Sequence, residues 1–216
     1  MDIESFNRQQ WKSNHVGLRY FVQHPLAYDH SQRNNCGCED WIASKIKQYG
    51  IDVTDKIACE IGVGFGRLAA GLSSARLIYG IDVSQELLND AVSYLSGVVQ
   101  FKPVLSDDYK SSFPPGEGDF VYSAMVMQHI PSSMQLDYLR HFSQWLKPGG
   151  EMLIQFLVGY APPDPFSVEP HFFWRVGDLF DTLNKLPLVL KRFDIEAVES
   201  DIKPCYWAWA YLGKNT

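Results

Sequence analysis

"ACEIGVGFGRLAAGL", Ala58 to Leu72, sets Gly62, Gly64 and Gly66 at alternate positions between an apolar run and a run with helical spacing. Glycine loses more backbone entropy on folding than any other residue, so such a cluster needs a physical reason. A chain passing from a parallel strand into a helix must double back tightly and leave its amides facing a ligand. Glycine allows both, because it accepts positive backbone angles and carries no side chain to hold a ligand away. The spacing narrows the choice. A phosphate-cradling loop needs Gly-Lys followed by Ser or Thr, which is absent, and dinucleotide folds read G-x-G-x-x-G rather than Glu60-x-Gly62-x-Gly64-x-Gly66.

Outward from this loop, short apolar runs alternate with helical patterns from residue 56 onward, the pattern of a mostly parallel sheet covered by helices. "KIACEIG" is the first expected strand, "RLAAGLSS" a helix and "LIYGIDV" the second strand. Ser84 is placed to cap a helix on which Leu87, Leu88, Ala91, Tyr94 and Leu95 recur at helical spacing. "VVQFKPV" and "DFVYSAMVM" read as the third and fourth strands. After Pro131, Ser132 and Gln135 have the spacing of a capping box, opening a helix that "KPGG", Lys147 to Gly150, should stop. "EMLIQFLV" is a fifth strand. "GYAPPDPFSVEP", with Pro162, Pro163, Pro165 and Pro170, is a loop, and "VGDLFDTLNKL" is helix-like. "RFDIEAVES" and "CYWAWAYLG" read as two closing strands joined by a short turn, an antiparallel end to the sheet. Residues 1–50 hold Trp11, Tyr20, Phe21, Tyr28 and Trp41 with His15, His24 and His30 and only weak periodicity, and read as a helical or irregular cover.

Composition bounds the function. A chain of 216 residues with 46% hydrophobic and 20% charged residues is ordinary for a globular protein, and no run approaches the apolar length of a membrane span. The polar start, "MDIESFNRQQW", lacks a secretory pattern, so a cytoplasmic address is expected. The four cysteines do not form a disulfide framework on this reading. A net charge of -6 without a Lys/Arg cluster argues against nucleic acid as a partner. Cys36 and Cys38 with His30 are too closely spaced for a usual zinc pair, so no metal is expected.

The motif E/D-x-G-x-G-x-G resembles the first motif of class I S-adenosylmethionine-dependent methyltransferases, and the resemblance continues from Lys56 to about Val158. Asp82, ending "LIYGIDV", sits where that family holds the ribose hydroxyls. "LSDDY" puts Asp107 where the family has an acid near the adenine amino group, "DFVYSAMVMQHIP" is similar to its fourth strand, and "WLKPGGEMLI" to the turn into its fifth. Five landmarks stand in register. Ser106 departs from the glycine, and Phe65 from the small or hydroxylated residue, that many members carry. The resemblance implies an α/β fold: a Rossmann-like, doubly wound, mostly parallel seven-stranded sheet with one antiparallel strand, in three α/β/α layers. It implies a methyltransferase domain over residues 51–216, with 1–50 as a cover or lid.

The same resemblance implies S-adenosylmethionine as cofactor, contacted by Glu60, Gly62, Val63, Gly64, Gly66, Asp82, Val83, Ser106, Asp107, Ser123 and Ala124. Glu60 would serve the methionyl ammonium, directly or through water. Ser123 and Ala124 would run beneath the sulfur, since ligands of open α/β sheets lie beyond strand ends. Each role has a plainer rival: a structural turn for the glycines, a helix-initiating acid for Asp82, a loop cap for Asp107 beside Asp108. His129 follows the fourth strand at the rim where a methyl acceptor should approach, and an ordinary histidine pKa near 6.5 suits a general base. Its rival is a helix-entry histidine bonded to backbone, and a well-aligned methyl transfer needs no base. Phe166, His171, Phe172, Phe173 and Trp174, with the N-terminal aromatics, have the composition of an acceptor pocket or of ordinary core. The fourth-strand end lacks the Asn/Asp-Pro-Pro-aromatic motif of nucleic-acid amino methyltransferases and the paired glutamates of protein-arginine methyltransferases. Transfer to an oxygen or nitrogen of a small-molecule metabolite is therefore the expected reaction; the alternative is a non-catalytic cofactor-binding regulatory or assembly module.

Overall fold

The computed structural model describes residues 2–12, 38–159, 172–197 and 205–216. His15, Tyr20, Phe21, His24, Tyr28, His30 and Cys36, the proline-rich loop with Phe166 and His171, and the turn between the last two strands lie outside the described residues. The elements are α1 (Ile3–Lys12), α2 (Cys38–Gln48), β1 (Ile57–Ile61), β2 (Leu77–Asp82), α3 (Gln85–Tyr94), β3 (Phe101–Leu105), α4 (Tyr109–Ser112), β4 (Gly118–Ser123), α5 (Ser132–Trp145), β5 (Leu146–Gly159), α6 (Val176–Leu183), β6 (Val189–Ala197) and β7 (Cys205–Gly213). The seven strands follow the order β3-β2-β1-β4-β5-β7-β6. The chain divides into two compact units, residues 8–112 and residues 113–216 with 1–7.

In residues 8–112, β1, β2 and β3 pair in parallel. Parallel strands are covered on both faces, which is why β1 and β2 read as nearly continuous apolar runs. Ala58, Cys59, Ile61, Ile78 and Ile81 are buried. Ser84 caps α3 as its position suggested, accepting from the Leu87 N–H at 3.3 Å, and Leu87, Leu88, Ala91, Tyr94 and Leu95 are all buried. "RLAAGLSS" departs from the expected helix: it makes only a single 3-10 turn, Ala69–Leu72. Gly71 weakens helix there, and the Gly71 N–H bonds back three residues to the Leu68 carbonyl instead of four. The described parts of residues 1–50 are helical, with Ile42 and Ile46 of α2 buried.

In the other unit, β4 and β5 are parallel, β7 runs antiparallel to β5, and β6 runs antiparallel to β7, so β7 is the reversed strand. Every residue of β4 is buried, including Asp119, which pairs with Lys147. "KPGG" does follow the end of α5, but it belongs to β5 as an irregularity: β4–β5 register passes from Gly118–Leu146 to Phe120–Glu151. The capping box does not form. Pro131 takes the N-cap position with no side-chain bond, and the Gln135 amide is drawn elsewhere.

The core of this unit centres on Trp145, 1% exposed, in edge contact with Phe113 and Phe142 at centroid distances of 5.2 and 5.9 Å. Gly118 lies directly on that indole: a Cβ there would come within 2.2 Å of the ring. Gly118→Ala therefore overpacks the core, with an expected loss of about 1–3 kcal/mol in urea unfolding.

Candidate functional site

Gly62, Gly64 and Gly66 all adopt positive φ, at 77°, 54° and 93°. The Gly62 and Val63 N–H groups both donate to the Ile81 carbonyl, at 2.8 and 2.9 Å, so the loop after β1 is fastened to the end of β2. Beyond that, the glycines differ in what they are for. A Cβ on Gly64 would meet nothing within 4 Å, so the space beside this residue is open. A Cβ on Gly66 would lie 2.8 Å from Leu95 Cδ1 and 2.9 Å from its Cγ, and the Gly66 N–H is already bonded to the Val63 carbonyl. Gly66 is thus required by packing, whereas Gly64 is required by its left-handed backbone and borders open space.

Asp82 ties this arrangement together. Its Oδ2 accepts from the Gly64 N–H at 2.9 Å and its Oδ1 from the Ser84 N–H at 3.0 Å, linking the glycine loop to the start of α3. Burial pushes its carboxyl above the usual carboxylate range, against the pull of the Ser84, Gly64 and Val83 N–H groups. A carboxylate offers about four lone-pair directions, and the two N–H groups at hydrogen-bond distance, those of Gly64 and Ser84, leave two for hydroxyl donors. The Asp82 carbonyl accepts from the N–H of Ser106, whose side chain is buried. Glu60, in β1, is 1% exposed.

Asp107, with 46% of its side chain exposed, has basic partners that the sequence did not single out. Lys12 donates to its Oδ2 at 2.6 Å and Arg8 to its Oδ1 at 2.7 Å, and Arg8 also reaches Ser106 Oγ at 3.3 Å. The Lys12 hydrogen bond, aided by the charges of Lys12 and Arg8, holds the Asp107 carboxyl below its ordinary range. Residues 8–112 thus bring together Gly62, Val63, Gly64, Asp82, Ser106 and Asp107 through Ile81 and Asp82. The only sequence hint of Arg8 and Lys12 is a basic pair four positions apart on one helix.

Ser123, Ala124 and His129 lie together in the other unit, at the carboxyl end of β4. Ser123 and Ala124 are buried. Met125 has φ +61°, a left-handed conformation unusual for its type, and its N–H donates to the buried Gln155 Oε1 of β5 at 2.7 Å. A short 3-10 turn, Met127–His129, follows; the His129 N–H bonds to the Val126 carbonyl at 2.8 Å. Gln135 pins this turn. Its Nε2 donates to the Met127 and Ile130 carbonyls at 2.8 and 2.6 Å, and its Oε1 accepts from Trp174 Nε1 at 2.7 Å. The Phe172 N–H donates to the Gln128 carbonyl at 2.6 Å. Gln128 is itself 4% exposed, and among the described residues no donor reaches its Oε1. A buried amide oxygen left in that state costs about 1–3 kcal/mol. Three glutamines, Gln128, Gln135 and Gln155, are not site candidates on sequence alone; the available signal is a polar residue inside the apolar run "EMLIQFLV" and two flanking Pro131.

A family model described as a methyltransferase domain matches residues 58–150, from β1 to the KPGG irregularity. By that match, this stretch is a methyltransferase domain. The methyltransferase domain is similar to phosphoethanolamine N-methyltransferase 3 of Arabidopsis thaliana, 32% identical over 101 residues, covering 45% of this chain and 19% of that protein. It is also similar to an uncharacterized methyltransferase of Geobacillus kaustophilus, 29% identical over 129 residues, covering 58% of this chain and 56% of the relative. The chain thus spans about a fifth of the first relative and just over half of the second. In fold, it matches the magnesium protoporphyrin IX methyltransferase of Synechocystis PCC 6803 with a TM-score of 0.69 at 15% identity, covering 100% of this chain and 98% of that one. The methyltransferase domain's own residues fit an adenosyl cofactor: there is open space beside Gly64, and the carboxylate that accepts the Gly64 N–H has capacity for a pair of hydroxyls. Among the described residues, no helix is long and apolar enough to cross a membrane.

Proposed function

We propose that the protein moves a methyl group from S-adenosylmethionine to a nitrogen or oxygen of a small molecule, with residues 51–216 as the working domain and 1–50 as its cover. The observation that carries this reading is the joining of Gly64 and Ser84 through Asp82, at a glycine whose added Cβ would meet no atom of the described residues within 4 Å. When bound, S-adenosylmethionine supplies an electrophilic methyl group on a sulfonium, already a good leaving group. Asp82 accepts the ribose hydroxyls, and the backbone of the glycine loop at Gly62, Val63 and Gly64, with Val83, lines the nucleoside. Ser106 and Asp107 border the adenine end, where Arg8 and Lys12 fix the Asp107 carboxylate. Glu60, buried in β1, serves the methionyl ammonium directly or through water. The resemblance assigns Ser123 and Ala124 to the sulfur end, and Gly66 serves by letting Leu95 approach.

The name of the Arabidopsis relative favours an amine acceptor. His129, part-exposed after β4, takes the proton that a nitrogen or oxygen nucleophile sheds as it is methylated. His129→Ala is expected to leave S-adenosylmethionine affinity unchanged and lower turnover by about 10²-fold or more, the usual range for general-base catalysis. Unchanged turnover assigns the histidine to helix entry instead. The reaction itself is tested by incubating the protein with methyl-labelled S-adenosylmethionine and phosphoethanolamine, ethanolamine and simple phenols. Label in one of these products, with equal release of S-adenosylhomocysteine, is expected. Cofactor binding without transfer to any of them would favour the non-catalytic module.

A further inference from the structure

The turn after β4 is built more rigidly than a connection between a strand and a helix requires. Gln135 holds two of its carbonyls, Trp174 holds Gln135, and the Phe172 N–H holds the Gln128 carbonyl. The Trp174 backbone is fixed in turn, its N–H on the Leu157 carbonyl at 2.9 Å and its carbonyl on the Gly159 N–H at 3.0 Å. Within this braced cluster every polar group just named has a partner, yet Gln128 Oε1, on a side chain 96% buried, meets no donor among the described residues. Native folds rarely leave such an atom unless a ligand or a water completes it.

We propose that Gln128 recognises the methyl acceptor, its Oε1 taking an N–H from the ammonium or amine that is to be methylated. The inference rests on the methyltransferase reading and adds to it a specificity residue. Three considerations bear on that partner. The atom is an acceptor only, so its partner must bring a hydrogen. Gln128 is the immediate neighbour of His129, at the carboxyl end of β4, where ligands of parallel sheets gather. A charged N–H donor also makes a stronger bond to a buried amide oxygen than a neutral hydroxyl does. One N–H points at Oε1 while another faces the base, so each methylation removes a hydrogen from the set that recognition uses.

Two measurements decide it. The first is thermal unfolding of the ligand-free protein: Gln128→Leu, which removes the unfilled acceptor at similar volume, is expected to unfold at the same temperature as the native chain or higher. A clear fall would make Gln128 a structural residue and overturn the proposal. The second is calorimetric titration of the S-adenosylhomocysteine-loaded protein with phosphoethanolamine, its mono- and dimethyl forms, and phosphocholine. Affinity is expected to decline along that series, and Gln128→Leu to weaken phosphoethanolamine about tenfold, the loss of one hydrogen bond, with S-adenosylhomocysteine affinity unchanged. Equal binding of phosphocholine, which has no N–H, overturns the inference, as does a crystal structure of the loaded protein in which a water held by protein groups alone fills Oε1. Binding of S-adenosylhomocysteine without any of the amines overturns the amine assignment and leaves the methyltransferase reading standing.

Discussion

Asp82→Ala is expected to weaken S-adenosylmethionine binding by about 1–3 kcal/mol, roughly 5- to 150-fold, because the substitution strands the partners of a carboxylate in two directions. On the protein side it frees the Gly64 and Ser84 N–H groups, now held at 2.9 and 3.0 Å, so the loop loses its tie to α3. On the ligand side it removes the acceptor for the ribose hydroxyls. The same carboxylate sets a pH dependence. Burial raises its pKa, and only the ionised form accepts from both hydroxyls and both amides. Affinity is therefore expected to be full well above that raised value and to fall as pH drops through it, starting at a higher pH than for an ordinary aspartate. Calorimetric titration of the native chain and of Asp82→Ala across mildly acid pH checks both points: the native protein loses affinity on acidification, and the variant, already weak, shows no such loss.

Gly66→Ala and Gly64→Ala are expected to fail in different ways although the two residues belong to one motif. At Gly66 the backbone is left-handed and a Cβ would press into Leu95, which is fully buried and cannot give way. Left-handed strain of about 1–2 kcal/mol adds to an overpacking cost of about 1–3 kcal/mol, so denaturant unfolding should show a loss of roughly 2–5 kcal/mol. Gly64→Ala carries only the backbone term, about 1–2 kcal/mol, since its Cβ has open space around it. That space is the proposed cofactor gap, so Gly64→Ala should fold and lose affinity. Equal destabilisation by both substitutions, with cofactor affinity spared in Gly64→Ala, would show the gap to be incidental.

Most of the sheet was legible because buried parallel strands and a Ser84-capped helix are written in local residue order. "LIYGIDV" and "KIACEIG" needed no tertiary information to be read as strands. What failed did so where distant residues compete for a side chain. Gln135 had the spacing of a capping box, yet Trp174, 39 positions away, and the carbonyls of the preceding turn claim its amide. Arg8 and Lys12 meet Asp107 across separations of 99 and 95 residues, which no periodicity reveals. The helix expected after the glycine loop shrinks to one turn because Gly71 interrupts it, a local signal that was present in "RLAAGLSS" and outweighed in the reading by its apolar spacing. The candidate site was legible at Glu60, the glycines and Asp82, where motif and chemistry coincide. It was not legible at Gln128, whose significance lies in a missing partner and so exists only in three dimensions.

Calorimetric titration of the native chain with S-adenosylmethionine, S-adenosylhomocysteine and NAD decides whether the Gly64–Asp82 arrangement is an adenosyl cradle. Saturable binding of both adenosyl sulfur compounds is expected, one per chain, well below millimolar concentration and tighter than NAD. Absence of heat up to millimolar ligand, or preference for NAD, contradicts it.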